Sequence, residues 1–227
     1  METMSDEIYR TRKQFFNDHA ERWLDKCCKD TETGRCDKHE NNFELLFALL
    51  PLKRGDCVLD AGCGSGVLVP FILERITDSG ILYELDFAEN MIVVNRSLHE
   101  RYNIRFIVSD VENAPLDDAS CDAVICFSCF PHFHDKGKAL SAISRVLKAD
   151  GVFAVAHFDS SEGLNRHHGS CQAVMHDRMP DEAGMRALFK KADFNIEVFN
   201  DEPGFYLIIA KKDSLFPARH ATGSVEE

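Results

Sequence analysis

Three aspartates and a run of glycines carry the first chemical signal in this chain of 227 residues. Val58-Leu59-Asp60-Ala61-Gly62-Cys63-Gly64-Ser65-Gly66 joins a short apolar stretch to an amphipathic one. Glycines are needed where a ligand comes close to the backbone and where φ turns positive. A dinucleotide-binding G-x-G-x-x-G would place its third glycine at position 67, where Val67 stands. No Lys-Ser/Thr pair follows, so the run is not a triphosphate loop either. Asp60, just before the glycines, would repel a pyrophosphate and suits a ligand with a cationic amine. Asp86 ends the next expected strand, 20 residues after Gly66, where an acid can hydrogen-bond ribose hydroxyls. Asp110 ends the third. Each alone would serve equally well as a helix or turn cap.

Three carboxylates at the ends of consecutive strands describe a site for a ribose and an amino-acid cation, without phosphate. S-adenosylmethionine meets that description better than NAD or ATP. A second set of residues could act on the group that receives the methyl. His132 and His134 follow the fourth expected strand, His157 ends the fifth, and His167, His168 and His176 lie in a polar insert with Asp177 adjoining. Three readings stay open. His132 or His157 acts as a general base toward a hydroxyl, amine or thiol. Alternatively His132, His157, His168, His176 and Asp177 bind a divalent metal, since imidazoles with a carboxylate suit Zn or Fe(II). In the third reading the histidines only satisfy polar groups in a folded lid.

These residues need a sheet to bring them together. Apolar runs at Cys57–Ala61, Ile81–Asp86, Ile104–Ser109, Asp122–Ser128 and Val152–Phe158 read as strands. Amphipathic stretches at Gly66–Thr77, Ala88–Arg101 and Lys136–Lys148 read as the helices between them. Strand and helix in alternation predict a parallel sheet covered on both faces. Asp159–Pro180 reads as an irregular insert, Asp181–Ala192 as a helix, and Phe194–Phe199 with Phe205–Lys211 as a hairpin around Asn200–Gly204. The expected organisation is a helical cap over 1–50, a ligand-binding domain over 51–213 with a lid at 159–180, and a flexible tail over 214–227.

Composition narrows the partners. Against 26 Lys+Arg stand 38 Asp+Glu, a net charge of −12, which disfavours sequence-independent binding to nucleic acid or anionic lipid. The longest uncharged apolar run, Leu45–Leu52, is far short of the ~20 residues of a membrane span. The polar Met1–Lys13 is not a secretory signal, and nine cysteines, an odd number, read as free thiols in a reducing cytoplasm. Cys27, Cys28, Cys36 and His39 form a loose group without the spacing of a known zinc motif.

From Phe15 to Lys212 the chain resembles the class I S-adenosylmethionine-dependent methyltransferases, in the type 11 group that includes ubiquinone/menaquinone-biosynthesis enzymes. The resemblance lies in the glycine run, Glu84-Leu85-Asp86-Phe87-Ala88-Glu89-Asn90-Met91, Ser109-Asp110-Val111-Glu112, Cys121-Asp122-Ala123-Val124-Ile125 and Ile143-Ser144-Arg145-Val146-Leu147-Lys148-Ala149-Asp150-Gly151. It implies a Rossmann-like, doubly wound α/β fold with seven strands, the last antiparallel. It also implies that Asp60, Gly62, Cys63, Gly64 and Gly66 meet the methionyl part of the cofactor and that Asp86 binds the ribose. Phe87 and Met91 would pack near adenine, Asp110 would bind its amino group beside Val111, and Phe127 and Ser128 would lie near the sulfonium. Some relatives share an aromatic-Pro-His stretch, a later His, Asn-x-x-His and His-Asp. These map onto His132, His157, Asn165, His168, His176 and Asp177, so that His132, His157, His168 and His176 are the catalytic candidates.

The expected function is methyl transfer to a small-molecule acceptor in the cytoplasm, by a monomer or homodimer. The aromatic side chains Phe127, Phe130, Phe133 and Phe158 favour an apolar acceptor. The alternatives are a catalytically silent cofactor-binding module, a metal-assisted variant that uses the histidines, and a nucleotide-dependent oxidoreductase.

Overall fold

The computed structural model describes residues 4–28 and 39–213. Helices α1 (Met4–His19), α2 (Trp23–Cys28) and α3 (Glu40–Leu49) precede the sheet. Strands β1 (Cys57–Ala61), β2 (Ile81–Asp86), β3 (Ile104–Val108), β4 (Cys121–Phe127) and β5 (Leu147–His157) alternate with α4 (Val69–Ile76), α5 (Glu89–His99) and α6 (Lys136–Val146). Then come α7 (Ser161–Gly169), α8 (Glu182–Lys191), β6 (Phe194–Glu202) and β7 (Phe205–Lys212). The expected tail at 214–227 lies outside the described residues, as does Cys36; Cys27 and Cys28 are described as helical backbone only.

Seven strands form one sheet in the order β3-β2-β1-β4-β5-β7-β6. β1 to β5 pair in parallel, and β7 runs antiparallel to both β5 and β6. This is the doubly wound α/β architecture expected from the alternating pattern. The order reverses between β1 and β4, and parallel strands that diverge from such a point leave a crevice at their carboxyl ends. Apolar side chains fill both faces of the sheet. On one, Phe43, Leu46, Val69 and Ile72 from α3 and α4 cover it; on the other, Leu140, Ile143, Met185 and Phe189 from α6 and α8 do so. Each Å² of apolar surface that these two layers remove from water stabilises the sheet beneath the crevice by about 25 cal/mol.

Four local readings change. The insert is not irregular throughout, because Ser161–Gly169 forms α7 with Ser160 accepting the Gly163 amide as its cap. α6 stops at Val146, and Leu147 already extends into β5, since the Asp150-Gly151 turn is part of that strand's curvature. The first helix after the glycine run starts at Val69 rather than Gly66, because Gly66 has a φ of +89°. The β6–β7 turn is tighter than a five-residue loop and centres on Pro203 and Gly204.

Candidate active site

A cleft opens at the carboxyl ends of β1 to β4. Its floor is the glycine run. Gly62, with φ +81°, lies against Cys129, so close that a Cβ would come within 2.6 Å of the Cys129 Cβ. Gly64, with φ +54°, faces the Trp23 indole. Gly66 does not reach the cleft. A Cβ there would come within 2.4 Å of Asn95 Oδ1, so this glycine lets α5 pack against the loop.

The three aspartates differ in their surroundings. Asp86 lines the cleft and accepts the Gly64 amide at 2.9 Å and the Ala88 amide at 2.8 Å. Burial pushes its carboxyl up to about 6, against the pull of those amides. It therefore does cap the turn that follows, but a carboxylate has about four acceptor positions, leaving some for ligand hydroxyls. Asp110 also lines the cleft, and both of its oxygens accept the Tyr9 hydroxyl, at 2.9 and 3.0 Å. Asp60 lies beneath the floor, 1% exposed, and neither oxygen has a hydrogen-bond partner. Burial, then the Asp86 charge, raises its carboxyl well above the usual range. A buried carboxyl without a partner is costly. A bound cation would stabilise its charged form.

Phe87, Met91, Val111, Phe127, Ser128 and Cys63 complete the cleft wall on this side. The Cys129 thiol donates to the Ala61 carbonyl and is raised by burial, which makes it a poor nucleophile. Among the aromatics expected at the mouth, Phe127 and Phe133 line the cleft. Phe130 is fully buried in the core, and Phe158 packs on Phe43 and Phe127 behind the wall.

The histidines separate. His132, in the turn after β4, lines the cleft, and its Nδ1 lies 2.7 Å from Asp177 Oδ2. His168 on α7 packs 4.9 Å from the His132 ring and bonds the Asp177 carbonyl through Nδ1 at 2.9 Å. His157 is buried behind them with no partner on Nε2, and burial drives its pKa down to about 3. His176 is exposed at the surface. Asn165 braces the insert by bonding both the amide and the carbonyl of Met179.

The metal reading does not fit this arrangement. Among the described residues no three His, Cys, Asp or Glu side chains are placed to hold an ion. Arg12 further opposes an ion here. Its guanidinium is buried at 5% exposure and forms a two-point ion pair with Asp177, through Nε at 2.8 Å and through Nη2. A guanidinium in that place repels a second cation and uses the carboxylate oxygens that a metal would need.

The sequence placed this segment in a helical cap but did not single out Tyr9 and Arg12. A signal was there: Tyr9, Arg12 and Phe16 recur at i, i+3, i+7, one face of a helix. In the structure Tyr9 and Phe16 line the cleft, and Trp23 packs on Phe16 with ring centres 5.2 Å apart. α1 is thus one wall of the site.

Residues 59–155 match the methyltransferase domain family Methyltransf_11. Over that stretch the chain is similar to methyltransferase domains. It is 31% identical over 163 residues to the malonyl-[acyl-carrier protein] O-methyltransferase of Acetivibrio thermocellus, covering 70% of this chain and 56% of that protein. It is 32% identical over 111 residues to the ubiquinone/menaquinone biosynthesis C-methyltransferase UbiE of Idiomarina loihiensis, covering 47% and 44%. The chain thus spans about half the length of these curated relatives. Among solved structures it resembles a chain in the complex of the Haloferax volcanii Trm112 methyltransferase activator with a methyltransferase. The TM-score is 0.71 at 23% identity, over 87% of this chain and 97% of that one, a likeness of fold. No helix among the described residues is long and apolar enough to cross a membrane.

Proposed function

We propose that this chain moves the methyl group of S-adenosylmethionine to a small-molecule acceptor, with His132 receiving the acceptor's proton. The observation that carries the reading is the placement of His132 on the wall of the cleft with Nδ1 engaged by Asp177. That leaves Nε2 as the nitrogen available to the cleft.

The cradle suits the cofactor. Asp86 keeps acceptor positions for the ribose, and Asp110 lies where an adenine amino group would replace the Tyr9 hydroxyl. Asp60, beneath the glycines, lacks the positive charge that a methionyl group would supply. Asp60 and Gly66 serve from behind the cleft wall, by charge and by packing, while Gly62, Cys63 and Gly64 form the floor.

The cofactor, when bound, supplies a methyl carbon on a sulfonium, a leaving group already activated by its charge. The chain's own contribution is mainly orientation and exclusion of water. Phe16, Trp23, Phe87 and Phe133 present apolar surface to the cleft. With the donor bound, Nε2 of His132 would take the acceptor's proton as the acceptor's lone pair displaced sulfur from the methyl carbon. Burial lowers the pKa of His132, so it is neutral, and able to accept, at physiological pH.

The test is His132→Gln in the full chain, assayed as S-adenosylhomocysteine release with a host metabolite extract as the acceptor source. A loss of about 100-fold or more, with cofactor affinity kept, is the expected result. Unchanged turnover would remove His132 from the chemistry. No product from any extract, with S-adenosylmethionine tightly bound, would favour the silent binding module.

A further inference from the structure

We propose that Asp177 is a positioning residue that locks the His132 ring in one tautomer, and that Arg12 of α1 secures it, so that docking of α1 completes the base. The proposal rests on the reading of His132 as the base.

Asp177 joins separate segments of the chain. It is 2% exposed, comes from the end of the insert, and its carboxylate is shared by two partners from other parts of the chain. Arg12 arrives from 165 residues away and His132 from 45 residues away. The guanidinium is always charged and holds the Asp177 carboxyl in its ionised form; together with His132 it lowers that carboxyl below its usual range, against the opposing effect of burial. An ionised carboxylate only accepts hydrogen bonds. His132 must then carry its proton on Nδ1, which leaves the Nε2 lone pair for the cleft. The same logic applies to His168, whose Nδ1 faces the Asp177 carbonyl and must donate to it.

Arg12 does more than hold Asp177. Its Nη1 donates to the His132 carbonyl at 2.9 Å, tying α1 to the turn that carries the base. It also restrains the base electrostatically. A lone buried aspartate would favour the imidazolium; the guanidinium offsets that charge and keeps the ring neutral. The groups facing His132 are Asp177 from the insert, Arg12 from α1, His168 from α7 and His157 from β5, while Lys136 of α6 acts on Asp177. Only Asp177 raises the pKa of His132; Arg12 and His168 lower it.

The test is nitrogen-15 NMR of histidine-labelled full-length protein saturated with S-adenosylhomocysteine, with pH titration of His132. The expected result for the unaltered chain is a neutral Nδ1–H tautomer. In Asp177→Asn the amide can donate to Nδ1, and the Nε2–H form should rise from under about a tenth to the majority. In Arg12→Gln the Nδ1–H tautomer should persist, with the His132 pKa raised by about one unit. A majority Nε2–H tautomer in the unaltered chain overturns the proposal, even if Asp177→Asn fails to fold. So does an unchanged tautomer in a folded Asp177→Asn, or an unchanged His132 pKa in Arg12→Gln. If the tautomer shifts as stated while His132→Gln keeps full turnover, the positioning holds and the reading of His132 as base fails, so the two are separable.

Discussion

Asp60 and Glu84 face each other across the β1–β2 ladder as register partners, both fully buried. Among the described residues neither makes an ion pair, and only Glu84 has a hydrogen-bond partner, the Asn95 amide at 2.6 Å. Two carboxylates so placed cannot both ionise without cost, and the pair retains a proton at neutral pH.

That relationship has a pH signature. Burial lifts the Asp60 carboxyl to about 8 and Glu84 well above its usual range. The folded state therefore holds protons that the unfolded state has released. The stability from this pair is complete below about pH 4 and is lost as pH rises toward 8. His157 acts in the other direction. Its pKa is depressed to about 3, so its contribution is complete above about pH 6.5 and is lost as pH falls toward 3. Above about pH 6.5, where the His157 contribution is complete, the carboxyl pair alone should make the cofactor-free protein less stable as pH rises toward 8. Asp60→Asn should flatten the alkaline side in a series of thermal melts. Melting temperatures that keep rising from pH 6 to 8 would contradict the protonated pair.

Asp86 and Gly66 should fail in different ways. Asp86→Ala should weaken S-adenosylhomocysteine binding by about 1–3 kcal/mol through lost buried hydrogen bonds. Gly66→Ala forces a side chain into positive φ and onto Asn95, and should cost about 1–3 kcal/mol of stability. Calorimetry on the folded fraction should find cofactor affinity nearly unchanged there. Loss of affinity at Gly66 without loss of stability would put that glycine in the cleft after all.

Tyr9 is a test of α1 as a wall of the site. Tyr9→Phe keeps the ring against Phe87, 5.8 Å away between centres, and removes the hydroxyl from Asp110. With roughly 1 kcal/mol of competing hydrogen bonding gone, an adenine amino group would meet a free Asp110. Calorimetry should find S-adenosylhomocysteine bound about fivefold more tightly. Unchanged affinity would mean that the Tyr9 hydroxyl does not compete for Asp110.

Alternating apolar runs were enough to identify the sheet, the parallel pairing of β1 to β5 and the placement of Asp60, Asp86 and Asp110 at one edge. These depend on local periodicity and on strand ends, which neighbouring residues dictate. Even the reversed β7 was legible from the closing hairpin. What only the tertiary structure decided was partnership. Arg12 and Asp177 are 165 residues apart, and nothing local in either segment marks the other. Their meeting removes the carboxylate from any metal and assigns it to His132. The tertiary structure likewise separated His132 at the cleft from His157 in the core and His176 at the surface, although all three look alike in sequence. Whether a histidine faces a ligand, a core or water depends on what packs over it. For these residues the covering elements, α1 and the insert, come from opposite ends of the chain.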